Sequence, residues 1–112
     1  CYRDTVNSLD DVTGRRAPFI NIVGGGTKEV PLSQLCADAC GRPVYAGPVE
    51  ATVLGNIAVQ AIAAGEIKDV HEAREIIADS FDIYTCEPNT KDADMWDEGY
   101  AKYKKLTNGE NL

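Results

Sequence analysis

The sequence lacks an apolar run long enough to cross a bilayer. Its longest weakly polar stretch, Ile57 to Ala64, contains Gln60 and falls far short of the roughly 20 residues required. Basic residues are also scarce: 11 Lys and Arg stand against 18 Asp and Glu, for a formal net charge of -7 and an isoelectric point near 4.5. That balance argues against nucleic acid and acidic membrane surfaces as partners, and for an acidic, soluble protein. No internal repeat or low-complexity stretch is visible. The opening Cys1-Tyr2-Arg3-Asp4 has neither an initiator Met nor a basic-then-apolar leader, which gives no expectation of secretion. Tyr2, Val6 and Leu9 are already at helical spacing, so the chain is expected to begin partway along a helix, as an internal fragment would.

Histidine is confined to His71, which falls in a different predicted helix from Cys36 and Cys40, so no metal site is expected. It is placed in an exposed first turn with no carboxylate or serine partner indicated. The four cysteines, Cys1, Cys36, Cys40 and Cys86, are even in number. Cys36 and Cys40, however, lie four apart in a helical run beside Leu32, Leu35 and Ala39, where cysteine acts as a small apolar residue. Buried, reduced thiols and a cytoplasmic setting are the expectation.

At 112 residues the chain is at most one domain. What it has in abundance is α/β punctuation. After the first helix, Gly14, Arg15 and Arg16 make a link and Pro18 opens a strand, Ile20 to Val23, which runs into Gly24-Gly25-Gly26-Thr27. A helix follows from about Lys28 to Cys40, with Pro31 in its first turn, Gly41 as its stop, and Leu32, Leu35, Cys36, Ala39 and Cys40 predicted to face the core. Val44 to Ala46 reads as a second strand, placed parallel to the first by a right-handed crossover.

Further helices are predicted over about Glu50 to Ala64, with Leu54, Ile57, Ala58, Ala61 and Ile62 inward, and from an Asp69 N-cap, with Val70, Ala73, Ile76, Ile77 and Phe81 inward. Gly55, early in the first of these, points to a close approach by a neighbouring backbone or a ligand. Ile83 to Cys86 is extended or irregular. A last helix, about Lys91 to Leu106, carries Trp96, Tyr100 and Tyr103 on one side and Asp92, Asp94, Asp97 and Glu98 on a solvated face; the tail from Thr107 is expected to fray. Two parallel strands leave sheet edges that call for further strands, so the chain reads as part of a larger domain.

The glycine stretch is either a tight turn or a phosphate loop at a helix N-terminus. A Walker loop is excluded, since Thr27 and Lys28 stand in reversed order and no spaced second glycine exists. A dinucleotide loop is weak, because the glycines are not spaced G-x-G-x-x-G and the second strand ends Tyr45-Ala46-Gly47 with no acid for a ribose.

A third comparison rests on Val23-Gly24-Gly25-Gly26-Thr27, on Gln34-Leu35-Cys36-Ala37-Asp38-Ala39-Cys40-Gly41-Arg42-Pro43, and on Ala46-Gly47-Pro48-Val49-Glu50-Ala51-Thr52-Val53-Leu54-Gly55-Asn56. These runs resemble the C-terminal portion of the FGGY carbohydrate kinases, from about Ile20 to Pro88. Within that family Gly47 to Asn56 is most similar to the members that phosphorylate L-rhamnulose; L-fuculose and pentulose kinases remain alternatives. A non-catalytic actin-like nucleotide-binding module is the alternative outside the enzyme class.

The resemblance implies an α/β fragment of the actin-like, hexokinase-type (ribonuclease H-like) ATPase fold, with short parallel strands flanked by helices. It implies that residues 1–112 form the C-terminal part of the family's C-terminal domain. Gly24, Gly25, Gly26 and Thr27 then match the loop that lies against the adenosine and phosphates of ATP, with Gly25 the direct contact. Many members have Asn where this chain has Glu29, so a contact through Glu29 is doubtful. Glu50 and Thr52 match the family pattern without a clear ligand role. The catalytic aspartate, the sugar site and the main Mg2+ site belong to earlier sequence, so the full-length enzyme is expected to use ATP and Mg2+ while these residues alone are inactive. Truncation is expected to make the fragment self-associate.

Overall fold

Strand β1, Ile20–Ile22, pairs in parallel with β2, Val44–Ala46, in the register Ile20 with Val44 and Ile22 with Ala46. The computed structural model describes residues 1–109. The crossover between the two strands carries the glycine turn and helix α2, Val30–Cys40, as the sequence predicts. A third strand, β3, Tyr84–Cys86, pairs antiparallel with β2, so the sheet order is β1-β2-β3. The expectation of parallel strands holds for β1 and β2 and is corrected at β3. Three residues with no Gly or Pro inside them carry little periodicity, and it is pairing with Val44 to Ala46 that makes this segment a strand.

Helix α2 covers one face of the sheet. Its buried residues are Ser33, Cys36 and Ala37, with Cys40 partly covered, and Val44 and Cys86 complete this core. The helical period is as expected but the face is turned by about one residue from the predicted one: Leu32 and Leu35 are exposed. Small side chains at 33, 36 and 37 let the helix axis approach the sheet, and the buried Ser33 hydroxyl is satisfied by the Tyr84 phenol at 3.2 Å. Cys36 is thus a buried thiol as predicted, Cys40 only half so, and all four cysteines are free.

Helix α1, Tyr2–Thr13, ends at Gly14 in the left-handed conformation. Its covered face is mixed, with Arg3, Val6, Asn7 and Asp10 half-buried, while Tyr2 and Leu9 are exposed. Helix α5, Ala93–Thr107, follows a short 3-10 turn over Thr90–Asp92 and closes on the same side. Its Tyr100 hydroxyl donates to Asp4 at 2.6 Å, Arg3 stacks 4.3 Å from the Tyr100 ring, and Arg3 pairs with Asp97 at 2.7 Å. The aromatic stripe is therefore a docking surface for α1, and Asp97 stays on the solvated face, as expected, while it pairs with Arg3. Of the tail expected to fray, Thr107 is the last residue of α5, and residues 110–112 lie outside the described residues.

Helices α3, Ala51–Ala63, and α4, Val70–Ser80, pack on each other at the other end. The predicted cap of α4 is present: Asp69 accepts the Glu72 N–H at 2.9 Å, and the Glu72 carboxylate reaches back to the Lys68 N–H at 2.6 Å. The predicted burial is partial: Leu54, Ala58, Ala61 and Ile62 of α3 and Ile77 of α4 are half-buried. In α3 no residue is fully buried and Ile57 is 58 % exposed; in α4 only Ala73 is buried, and Ile76 and Phe81 are open. Gly55 has no atom of another segment within 4 Å of where a Cβ would sit, so the expected close approach is not made among the described residues. The radius of gyration, 17.3 Å, exceeds the roughly 13 Å of a compact chain of this size, and the molecule is 58 Å long. Apolar helix faces in so open a shape lack an opposing layer.

Candidate functional site: the glycine turn

Between β1 and α2 the backbone cannot go straight from strand to α-helix. Gly24 takes φ 83°, a value that suits glycine, and Gly25–Lys28 then form one turn of 3-10 helix. The predicted start of α2 at Lys28 is therefore corrected to Val30, with Glu29 between the two helices at φ -87°, ψ 76°. The turn is tied on both sides. The Gly24 N–H donates to the Pro48 carbonyl at 3.2 Å, and the Gly47 N–H to the Ile22 carbonyl at 2.8 Å.

Thr27 is the inner anchor. It is 3 % exposed, its N–H and its hydroxyl both donate to the Gly24 carbonyl, at 3.1 and 2.8 Å, and its own carbonyl accepts from the Tyr84 phenol. The outer side is bare. Gly25 and Gly26 are exposed, and their N–H groups head a 3-10 turn, where no earlier carbonyl of the turn can receive them. A Cβ at either would meet nothing within 4 Å among the described residues beyond its chain neighbours. So the four predicted residues are together, with divided tasks: Gly24 bends, Gly25 and Gly26 present backbone donors, and Thr27 holds.

Glu29 is exposed, and its N–H is spent on the Gly26 carbonyl at 3.2 Å. Glu50 is the exposed N-cap residue of α3 and its side chain makes no cap bond; Thr52, two residues on, is exposed. Beside the turn, a cavity of about 690 Å³ opens between the end of β1 and the α3–α4 pair, walled by Asn21, Val23, Pro48, Ala51 and Gly55, with Arg74 as its cation. Its other walls are mostly apolar, so it suits a flat or apolar group better than a polyanion. No group of three or more metal-ligating side chains comes together among the described residues.

Two features escaped the sequence, one behind the turn and one at the opposite end of the sheet. The first is Ser33 and Tyr84, met above. A polar residue at i-3 from Cys36 on the same face was the only available sign of Ser33, and Tyr84 had none. The second is Arg42, 5 % exposed, which grips Asp10 of α1 through both terminal nitrogens and also donates to the Ala17 carbonyl at 3.0 Å. The Arg42 guanidinium, and then the Ala17 N–H at 2.8 Å, hold the Asp10 carboxyl below its usual range. Nearby, the hydrogen bond between Cys36 and Cys40 pushes the Cys36 thiol up and brings Cys40 down to about 7, helped by Arg42 and Arg3.

Residues 2–64, which contain the turn and both flanking strands, match the family model described as the FGGY family of carbohydrate kinases, C-terminal domain. The chain belongs to that family. Over 88 residues it is 46% identical to the rhamnulokinase of Yersinia pestis (strain Pestoides F), and equally to that of Yersinia pseudotuberculosis serotype I (strain IP32953). Those alignments cover 79% of this chain and 18% of each relative, so the chain spans about a fifth of the length of the curated relatives it matches. Among solved structures it resembles the ligand-bound xylulose kinase of Lactobacillus acidophilus, with a TM-score of 0.77 over 96% of this chain and 22% of that one, at 20% identity. That likeness fixes the fold as part of the actin-like ATPase fold, the α/β class expected.

Proposed function

We propose that this chain is the C-terminal part of the C-terminal domain of an ATP-dependent ketose kinase, and that the glycine turn forms one wall of its nucleotide site. The carrying observation is the turn itself: bare Gly25 and Gly26 amides on a loop anchored from behind by Thr27, inside the stretch that matches the family's C-terminal domain. Backbone N–H groups held still are suited to the oxygens of a nucleotide, and the absence of a Cβ lets the ligand approach closely. The mostly apolar cavity beside the turn suits the base or ribose more than the phosphates. Thr27 serves the site by shaping the turn, and Gly24 by bending it.

The 46% identity to rhamnulokinases supports L-rhamnulose as the sugar and the 1-phosphate as the product. Mg2+ would travel with ATP and be held elsewhere in the full-length enzyme, as would the general base and the sugar site. These residues alone would then be inactive, since phosphoryl transfer rests on positioning and charge neutralisation that one wall cannot supply. Free thiols favour a cytoplasmic enzyme. The test is ADP release by the full-length protein with ATP and a panel of ketoses. Activity greatest with L-rhamnulose is expected. Turnover of L-fuculose or a pentulose instead would change the sugar, and no turnover of any ketose would overturn the kinase reading.

A further inference from the structure

We propose that Tyr84, on β3, is a positioning residue for the nucleotide turn, acting through its hydroxyl on the Thr27 carbonyl. This rests on the reading of Gly25 and Gly26 as nucleotide contacts. The Tyr84 ring packs on the core made by Cys36, Ala37, Val44 and Cys86, a task that phenylalanine would perform as well. The hydroxyl does something different. Its target belongs neither to β2 nor to α2 but to the residue that follows the two bare glycines.

Thr27 needs that donor. The backbone leaves the helical region at Glu29, so α2 does not continue the 3-10 turn, and the Thr27 carbonyl sits in a residue 3 % exposed, where an unpaired acceptor is costly. Because Tyr84 donates to Thr27, the Ser33 hydroxyl is the donor to Tyr84, at 3.2 Å. A chain of O–H groups thus runs from α2 through β3 into the turn, each bond polarising the next. Thr27 is held at both ends: N–H and hydroxyl on the Gly24 carbonyl, carbonyl on Tyr84. The two amides between Gly24 and Thr27 are consequently fixed in direction before any ligand arrives.

The experiment compares Tyr84→Phe, Ser33→Ala and Gly25→Ala in the full-length protein, using the ketose it turns over fastest. The KM for ATP of Tyr84→Phe is expected to rise about threefold to tenfold, the loss of one hydrogen bond, with kcat at saturating ATP held and the thermal midpoint lowered by the buried Thr27 carbonyl left without its donor. Ser33→Ala, which leaves the Tyr84 hydroxyl in place, is expected to move the KM for ATP the same way by less. An unchanged KM for ATP in Tyr84→Phe, with a raised one in Gly25→Ala, would overturn the role of Tyr84 and leave the turn as the nucleotide wall. Unchanged values in both would overturn the reading of the turn and this proposal with it. A fall in kcat alongside the lowered midpoint would reduce Tyr84 to a packing residue and equally overturn the proposal.

Discussion

Arg42, at the junction of α2 and β2, clasps Asp10 of α1 through both of its terminal guanidinium nitrogens, while its Nε has no partner among the described residues. The pair, with the Ala17 N–H and C=O on its two members, ties the first helix and the link after it to the sheet. The Asp10 carboxyl is lowered in the folded state, by Arg42 first. Its contribution to stability is therefore fully present above the unfolded carboxyl value, about 3.9, and is lost as the pH falls through the folded value. In thermal unfolding of the full-length protein, wild type is expected to lead Asp10→Asn at pH 7, with the gap closing once the pH drops below about 4. A gap that stays constant down to pH 3 would show that the charge of Asp10 plays no part.

Gly25 and Gly26 offer a clean probe of the turn, because a Cβ there meets nothing within 4 Å among the described residues. Gly25→Ala is expected to leave the thermal midpoint of the full-length protein unchanged while weakening ATP binding about tenfold, with sugar affinity retained. Calorimetric titration with ATP gives the answer. Unaltered affinity would remove Gly25 from the nucleotide wall.

Gly24 and Gly47 are expected to behave in the opposite way. Gly47 has φ 125°, and a Cβ there would lie 2.5 Å from the Asp82 carbonyl oxygen. Gly47→Ala is expected to cost on the order of 1–3 kcal/mol of stability before any effect on ligand. Gly24→Ala, at φ 83° and 3.9 Å from the Val49 carbonyl, should cost less, from backbone conformation alone. Denaturant titration of the two variants tests the order, and equal stability of Gly47→Ala and wild type would contradict the packing found between β2 and β3.

The exposed Ile57, Val53 and Val59 of α3 and Ile76 of α4 belong to helices that have the sheet on no more than one side. As an isolated polypeptide, residues 1–112 are expected to self-associate as concentration rises, and Ile57→Lys to reduce that association. Sedimentation over a hundredfold range of concentration would show it. A strictly monomeric polypeptide across the whole range would mean that these faces are covered within the chain.

The sequence by itself determined the order of elements, the parallel pairing of β1 with β2, the place of the glycine turn between strand and helix, and the α4 cap. Each of these follows from short-range chemistry: glycine where φ must be positive, an Asp three residues before Glu72, and apolar periodicity in α2. The family likeness was legible for the same reason, being carried by contiguous runs. Tertiary structure alone decided the face that α2 buries, the antiparallel third strand, and the 3-10 turn that delays α2 to Val30. It alone also brought Tyr84, 57 positions further along the chain, to the carbonyl of Thr27, and Arg42 to Asp10, 32 positions away. Period reports that a helix has a covered face, but the identity of that face depends on which surface offers partners for its polar groups. In α2 the Tyr84 phenol made a serine, rather than either leucine, the residue to bury.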